Sequence, residues 1–248
     1  MNLRHDADTI IHAAIRSALP DEAVKKALND WSFPDGKLVL VAAGKGAWQM
    51  ASCAAELLRG RLSAGVCVTK YGHVQGEIPG VRCFEAGHPV VDENSLTGTQ
   101  AALDAVAGLT ENDAVLFLLS GGGSALFEKP LVPLAELQDI TRQLLACGAD
   151  ITEINTIRKR LSAVKGGRFA LACSPARVYS IVLSDVLGDP LDMIASGPAY
   201  PDASTCAQAL EIAERYQLRL TDEARALLAQ ETPKALTNVE TRVTGSVR

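Results

Sequence analysis

The stretch that most constrains this chain is Ala114–Leu126, where an unbroken apolar run empties into glycine. Val115–Leu119 is too short for a helix of its own, and a run buried on both faces reads as a central strand of a parallel sheet. It passes directly into Ser120, Gly121, Gly122, Gly123 and Ser124. Glycines remove the Cβ atoms that would hold a ligand off the backbone, and they admit positive φ. Successive N–H groups in such a turn can converge on one anion, with two serine hydroxyls beside them. The competing reading is a flexible strand-to-helix connector. Position favours a ligand, because open α/β sheets collect ligands outside the carboxyl ends of their strands.

Apolar and helical segments alternate on either side of that strand. A first helix begins near Asp6 or Asp8, with Ile10, Ile11, Ala14 and Ile15 as its apolar stripe, and a short second helix covers Asp21–Leu28. Lys37–Ala43 reads as a strand, ends at Gly44-Lys45-Gly46, and leads into a helix over Ala47–Leu58. Strands at Ala64–Thr69 and Val81–Glu85 precede a helix at Asn94–Val106. Beyond the glycines, helices are expected at Pro133–Leu145 and Glu153–Val164, a strand at Val178–Leu183, and a long loop over Ser184–Pro201. Helices at Ser204–Tyr216 and Asp222–Gln230 follow. The pattern specifies a three-layer α/β/α sandwich around a mainly parallel, Rossmann-like sheet. Val239–Gly245 alternates like one more strand: either it closes the same sheet, or it begins a second domain, with the first ending near residue 236 and residues 237–248 leading away.

Composition removes several function classes. With 48% apolar and 21% charged residues, the 248-residue chain can bury a sizeable core. A net charge of −5 and the lack of any basic run argue against nucleic acid as partner. No apolar stretch reaches the length of a membrane span, and the acid-bearing N-terminus does not resemble a signal peptide. Cys53, Cys67, Cys83, Cys147, Cys173 and Cys206 are scattered, and read as buried, reduced thiols of a cytoplasmic protein. The oligomeric state is left open, a homo-oligomer included.

Four polar loops could carry chemistry. Gly44-Lys45-Gly46 fits neither the Walker A pattern nor the dinucleotide fingerprint; it offers one cation beside a helix N-terminus, which suits an anion. A solvated loop lysine is the plainer alternative. Gly87–Ser95 contains His88, which has no second metal ligand at the right spacing, and Asp92 or Asn94, either of which can cap the helix that follows. Asn155, Arg158, Ser162 and Lys165 recur every three or four residues, so they share one helical face: either a solvated surface or a grip on an oxygen-rich anion. Asp185 and Asp189 sit in a loop punctuated by glycine and proline, as Mg²⁺ ligands or as ordinary Asx-turns.

Taken together these segments resemble the glycerate 2-kinase (MOFRL) family, some of whose members are called hydroxypyruvate reductases. The matching pieces are Gly44-Lys45-Gly46-Ala47 with Met50-Ala51, Gly87-His88-Pro89-Val90, Ser120–Ala125, the run from Asn155 through Arg158-Lys159 and Ser162 to Lys165-Gly166-Gly167, and Leu183–Asp189 with Ser196-Gly197-Pro198. The resemblance implies ATP-dependent phosphorylation of D-glycerate at its 2-hydroxyl with Mg²⁺, and it places the family's essential lysine on Lys45. It further implies that Gly44, Gly46 and Ser120–Ser124 line the substrate or ATP site with Asn155, Arg158 and Lys165, and that Asp185 and Asp189 hold the metal. The family has a second, C-terminal domain, which contributes an arginine across a shared cleft. Against it, this chain reads as roughly the first three-fifths of a member.

Three rivals remain. A reductase acting on hydroxypyruvate lacks the dinucleotide glycine pattern and its ribose-binding acid. A serine hydrolase would need a glycine where Leu126 follows Gly122-Gly123-Ser124-Ala125. A non-catalytic anion-binding α/β module follows if Arg248 is the natural end, since half a cleft can bind without closing.

Overall fold

The computed structural model describes residues 3–29, 31–184 and 186–244. Six strands form one sheet: β1 (Leu38–Ala43), β2 (Ala64–Lys70), β3 (Val81–Ala86), β4 (Ala114–Ser120), β5 (Arg177–Leu183) and β6 (Val239–Thr244). They run in the spatial order β3-β2-β1-β4-β5-β6, and every neighbouring pair is parallel. β1 and β4 are buried along their whole length, as apolar runs covered on both faces must be.

Helices cover the two faces. On one lie α2 (Pro20–Asn29) and α3 (Ala47–Leu57); on the other lie α4 (Glu93–Val106), the one-turn α5 (Gly123–Leu126) and α8 (Arg168–Ala172). A third apolar cluster joins α6 (Leu134–Ala146), α7 (Ile151–Arg160), α9 (Cys206–Arg215) and α10 (Asp222–Leu228) beside the sheet. The α/β/α sandwich expected from the alternation is therefore present, with a helical annex. α5 and α8 escape the sequence pattern because each is a short turn of helix that starts from a glycine cap.

α1 (Leu3–Ala18) lies on the outside, with Leu3, Ile10 and Ile11 exposed, so Ile10 and Ile11 of the expected stripe do not face the core. Among the described residues no helix is long and apolar enough to cross a membrane. All six cysteines are free, but only Cys53, Cys67 and Cys173 are buried; Cys147, near the end of α6, is exposed.

Val239–Thr244 is an edge strand of this sheet, paired with β5 from Val178 to Leu183; Gly245 lies outside the described residues. The boundary expected at residue 236 therefore falls inside one continuous sheet. Trp31 ties this edge to the chain's beginning. Its ring packs edge-on against Tyr179 at 5.1 Å, lies under the Arg242 guanidinium at 4.6 Å, and its indole N–H donates to Glu240.

Under the glycine loop, Phe117 of β4 meets Phe127 at 5.6 Å and Phe169 of α8 at 4.8 Å between ring centroids, all three fully buried. Phe117→Ala should cost about 3–5 kcal/mol in urea unfolding, from lost transfer energy plus an uncollapsed cavity. A loss below about 1 kcal/mol would mean the site repacks and the cluster does not support the loop.

Candidate functional site

The strand order reverses between β1 and β4: β1 leads outward to β2, β4 outward to β5. Loops leaving the carboxyl ends of two such strands diverge to opposite faces and open a crevice, where ligands of doubly wound sheets bind. The loops here are Gly44–Gly46 and Ser120–Ser124. They are locked to each other. Lys45 N–H donates to Gly121 O at 2.8 Å, and Gly46 N–H donates to Ser120 Oγ at 3.0 Å. Gly44, at φ 121°, lies so close that a Cβ there would fall 2.4 Å from Ser120 O, and Thr69 Oγ1 donates to its carbonyl.

This locking alters the role expected for Ser120. Its side chain is buried and its hydroxyl accepts from Gly46, so it splices the loops rather than facing an anion. Gly121 and Gly122 remain partly exposed, while Gly123 is buried against Ala195, whose Cβ would lie 2.7 Å from a Cβ on residue 123. The Lys45 side chain is exposed beside Gly122.

A third loop joins them. A Cβ on Gly122, itself at φ 87°, would come within 3.0 Å of both His88 Cδ2 and Lys45 Cγ. Three loops, after β1, β3 and β4, thus converge on one bare stretch of backbone. Burial, then the charges of Lys45 and Lys70, push the His88 imidazole below its ordinary pKa. Asp92 caps α4 through Ser95 and accepts from Tyr71 Oη at 2.7 Å. Burial would raise the Asp92 carboxyl, but hydrogen bonds from Tyr71, Ser95 and Gly87 outweigh it and hold the group below the usual range. His73 Nδ1 contacts Lys45 O at 3.0 Å.

The shared face expected for Asn155, Arg158, Ser162 and Lys165 does not form, because α7 stops at Arg160. The chain then turns through Gly166 and Gly167, both at positive φ, and sends Lys165 inward. Lys165 is wholly buried; its Nζ donates to Ser124 O at 3.0 Å and Phe127 O at 2.9 Å and lies 3.3 Å from Glu128 Oε2. Burial pushes its pKa down to about 8, partly offset by Glu128. Arg158 Nη2 donates to the same Ser124 carbonyl at 2.7 Å and stands 3.7 Å from Glu128. Asn155 Oδ1 accepts from Ser196 Oγ at 2.7 Å, inside the core. Neither a solvated face nor a ready grip on an anion results. These residues hold the Ser120–Ser124 loop and the 3₁₀ turn Ile194–Ser196 from behind.

Reading by spacing also passed over Glu128, Lys159 and Arg160. Glu128 is fully buried, and neither of its oxygens has a hydrogen-bond partner among the described residues. Lys159 pairs with Asp202 at 3.0 Å and Asp192 at 3.5 Å; Arg160 bonds Ser204 and Glu231. No local signal marks them, since each partner lies far off in sequence. A cavity of about 360 Å³ opens between α7 and α9, walled by Lys159, Asp192, Met193, Ser204 and Arg215. Its cations are already paired, and the glycine loops form no part of its wall.

Asp185 lies outside the described residues. Asp189 has φ 50°, and its Oδ1 is buried without a hydrogen-bond partner among the described residues. Among the described residues no group of three His, Cys, Asp or Glu side chains is arranged to hold a metal ion.

Comparison with known proteins bears on the family and the fold. Residues 6–229 match the model of a domain of unknown function, DUF4147. A D-glycerate 2-kinase of Thermotoga maritima is 51% identical over 249 residues, covering 100% of this chain and 59% of that protein. A crystal structure of glycerate kinase from the same organism superposes with a TM-score of 0.92 over 97% of this chain and 58% of that one. The Pyrococcus horikoshii glycerate 2-kinase is 39% identical, over 88% of this chain and 51% of its own length. The chain thus spans between half and three-fifths of the length of these three proteins. It belongs to the DUF4147 family and is kin to the glycerate 2-kinases.

Proposed function

We propose that this chain is the loop-bearing domain of an ATP-dependent phosphotransferase that converts D-glycerate to 2-phosphoglycerate. What carries the reading is the splice of Gly44–Gly46 to Ser120–Ser124 at the strand-order reversal, with exposed Lys45 beside Gly122. Phosphoryl transfer calls for positioning and charge neutralisation more than covalent chemistry. Lys45 would meet the transferring phosphoryl or the glycerate oxygens, and the Gly121–Ser124 backbone would cradle an anion. Mg²⁺ carried by a nucleotide needs only one or two protein carboxylates. Asp189, with an unpartnered buried oxygen, suits that part, and Asp185 is its proposed companion. The ion would offset negative charge on the nucleotide phosphates. We assign the protein to the cytoplasm, and the catalytic cleft to this domain together with a second one.

A reductase acting on hydroxypyruvate is the second reading, and a relative from Agrobacterium vitis, 42% identical, bears that enzyme's name. The β1–α3 turn lacks the dinucleotide glycines, and β2 ends on Lys70 where a ribose-binding acid would stand. A cation there suits a 2′-phosphate, so titration must include NADPH. Saturable quenching by NADH or NADPH, with no binding of Mg-ATP, would replace the kinase reading.

Lys45→Ala in the two-domain protein should lower kcat/KM for D-glycerate about a hundredfold or more in a coupled ADP-release assay, the scale of lost transition-state charge stabilisation. Undiminished turnover would remove Lys45 from the mechanism. Lys165 supports rather than contacts the substrate in this reading. Lys165→Met leaves the buried Glu128 with only the longer contact to Arg158, 3.7 Å away, and should cost about 3–5 kcal/mol in chemical denaturation. Adding Glu128→Gln should restore most of that loss; a double variant as weak as the single one would show that the carbonyl bonds, not the ion pair, matter.

A further inference from the structure

His88 stands in the crevice with no role assigned. Its ring lies over Gly122 beside the Lys45 stem, and it is half-buried. Neither of its ring nitrogens has a hydrogen-bond partner among the described residues. Histidines kept for structure are normally held by such a bond, and a buried polar group without one costs free energy. Gly122 makes the approach feasible: any side chain there would displace the imidazole or the lysine.

We propose that His88 is a catalytic residue, the general base that takes the proton from the substrate hydroxyl; this rests on the kinase reading above. In the step, the C2 hydroxyl of D-glycerate gives its proton to a ring nitrogen of His88. The freed oxygen lone pair forms the bond to the γ-phosphorus. The bond from that phosphorus to the bridging oxygen breaks, its electron pair leaves with ADP, and His88 then releases the proton to solvent. Atoms and charge balance without a further reactant.

The surroundings suit a base. From the β1–α3 loop Lys45 faces the ring, and from the end of β2 Lys70 does; the Ser120–Ser124 loop presents no charge. On its own loop, Asp92 is engaged by Ser95 and Tyr71. Burial and the two lysines keep the imidazole neutral at physiological pH, which leaves a lone pair for the proton. The nearby Lys45 ammonium would stabilise the oxyanion as it forms.

The test uses the two-domain protein with D-glycerate and Mg-ATP. His88→Gln, with His88→Asn as a second variant in case the first does not fold, should lower kcat about 10²- to 10⁴-fold with little change in KM. The wild-type rate should fall in acid with a midpoint below 6.5, the ordinary histidine value, and the variants should lose that limb. In this chain, the NMR signal of the His88 ring should titrate at a higher midpoint in Lys45→Met, and D-glycerate should shift it. Variants that keep wild-type kcat or its acid limb, in an active enzyme, overturn the base role and leave the kinase reading standing. A wild-type protein that phosphorylates no glycerate, with a His88 signal that D-glycerate leaves unmoved, overturns both.

Discussion

The contact on which the site depends is the approach of Gly44 to Ser120 across the reversal of strand order. The two backbones come so close that no residue with a Cβ fits at position 44, and the φ of 121° excludes other residues independently. Once there, the loops exchange two hydrogen bonds, and their relative position no longer depends on flexible side chains. That rigidity suits chemistry whose catalytic power lies in prior placement of charge. It also explains why Lys45 and Gly122 can present one surface although they are distant in sequence.

The loop is equally determined from behind. Short α5 leaves carbonyls without intrahelical partners, and Lys165 and Arg158 supply donors to them. Burying two cations and Glu128 there carries a desolvation cost that only mutual pairing offsets. The charges therefore fix the geometry of the loop, and they couple α7 to it. Asn155 does the same for the 3₁₀ turn through Ser196. The front of the crevice carries the exposed Lys45 side chain and the half-buried His88 ring beside Gly122.

Much of the fold was legible because its signals are local. Five apolar or alternating runs became the five inner and leading strands, and the alternation at Val239 became the sixth. Asp92 was readable as one of two candidate caps, and a reciprocal bond to the residue three positions on identifies it as the cap. The helical periodicity from Asn155 to Lys165 misled, because α7 ends at Arg160 and residues 161–163 leave the helical path to pair with residues 129–131, while the spacing persists in sequence. α5 was illegible for a related reason: one turn has no periodicity to read.

The sequence by itself determined the alternation of strand and helix, the positions of the glycine loops and the kinship those motifs carry. Each depends on residues adjacent in the chain, whose burial pattern or φ requirement is written in their own side chains. Only the tertiary structure decided the order of the strands, and with it that the loops after β1, β3 and β4 meet. It also decided which charges are buried. Whether Lys165 faces water or Glu128 depends on partners contributed by other elements, and a charge enters the interior only where such partners wait.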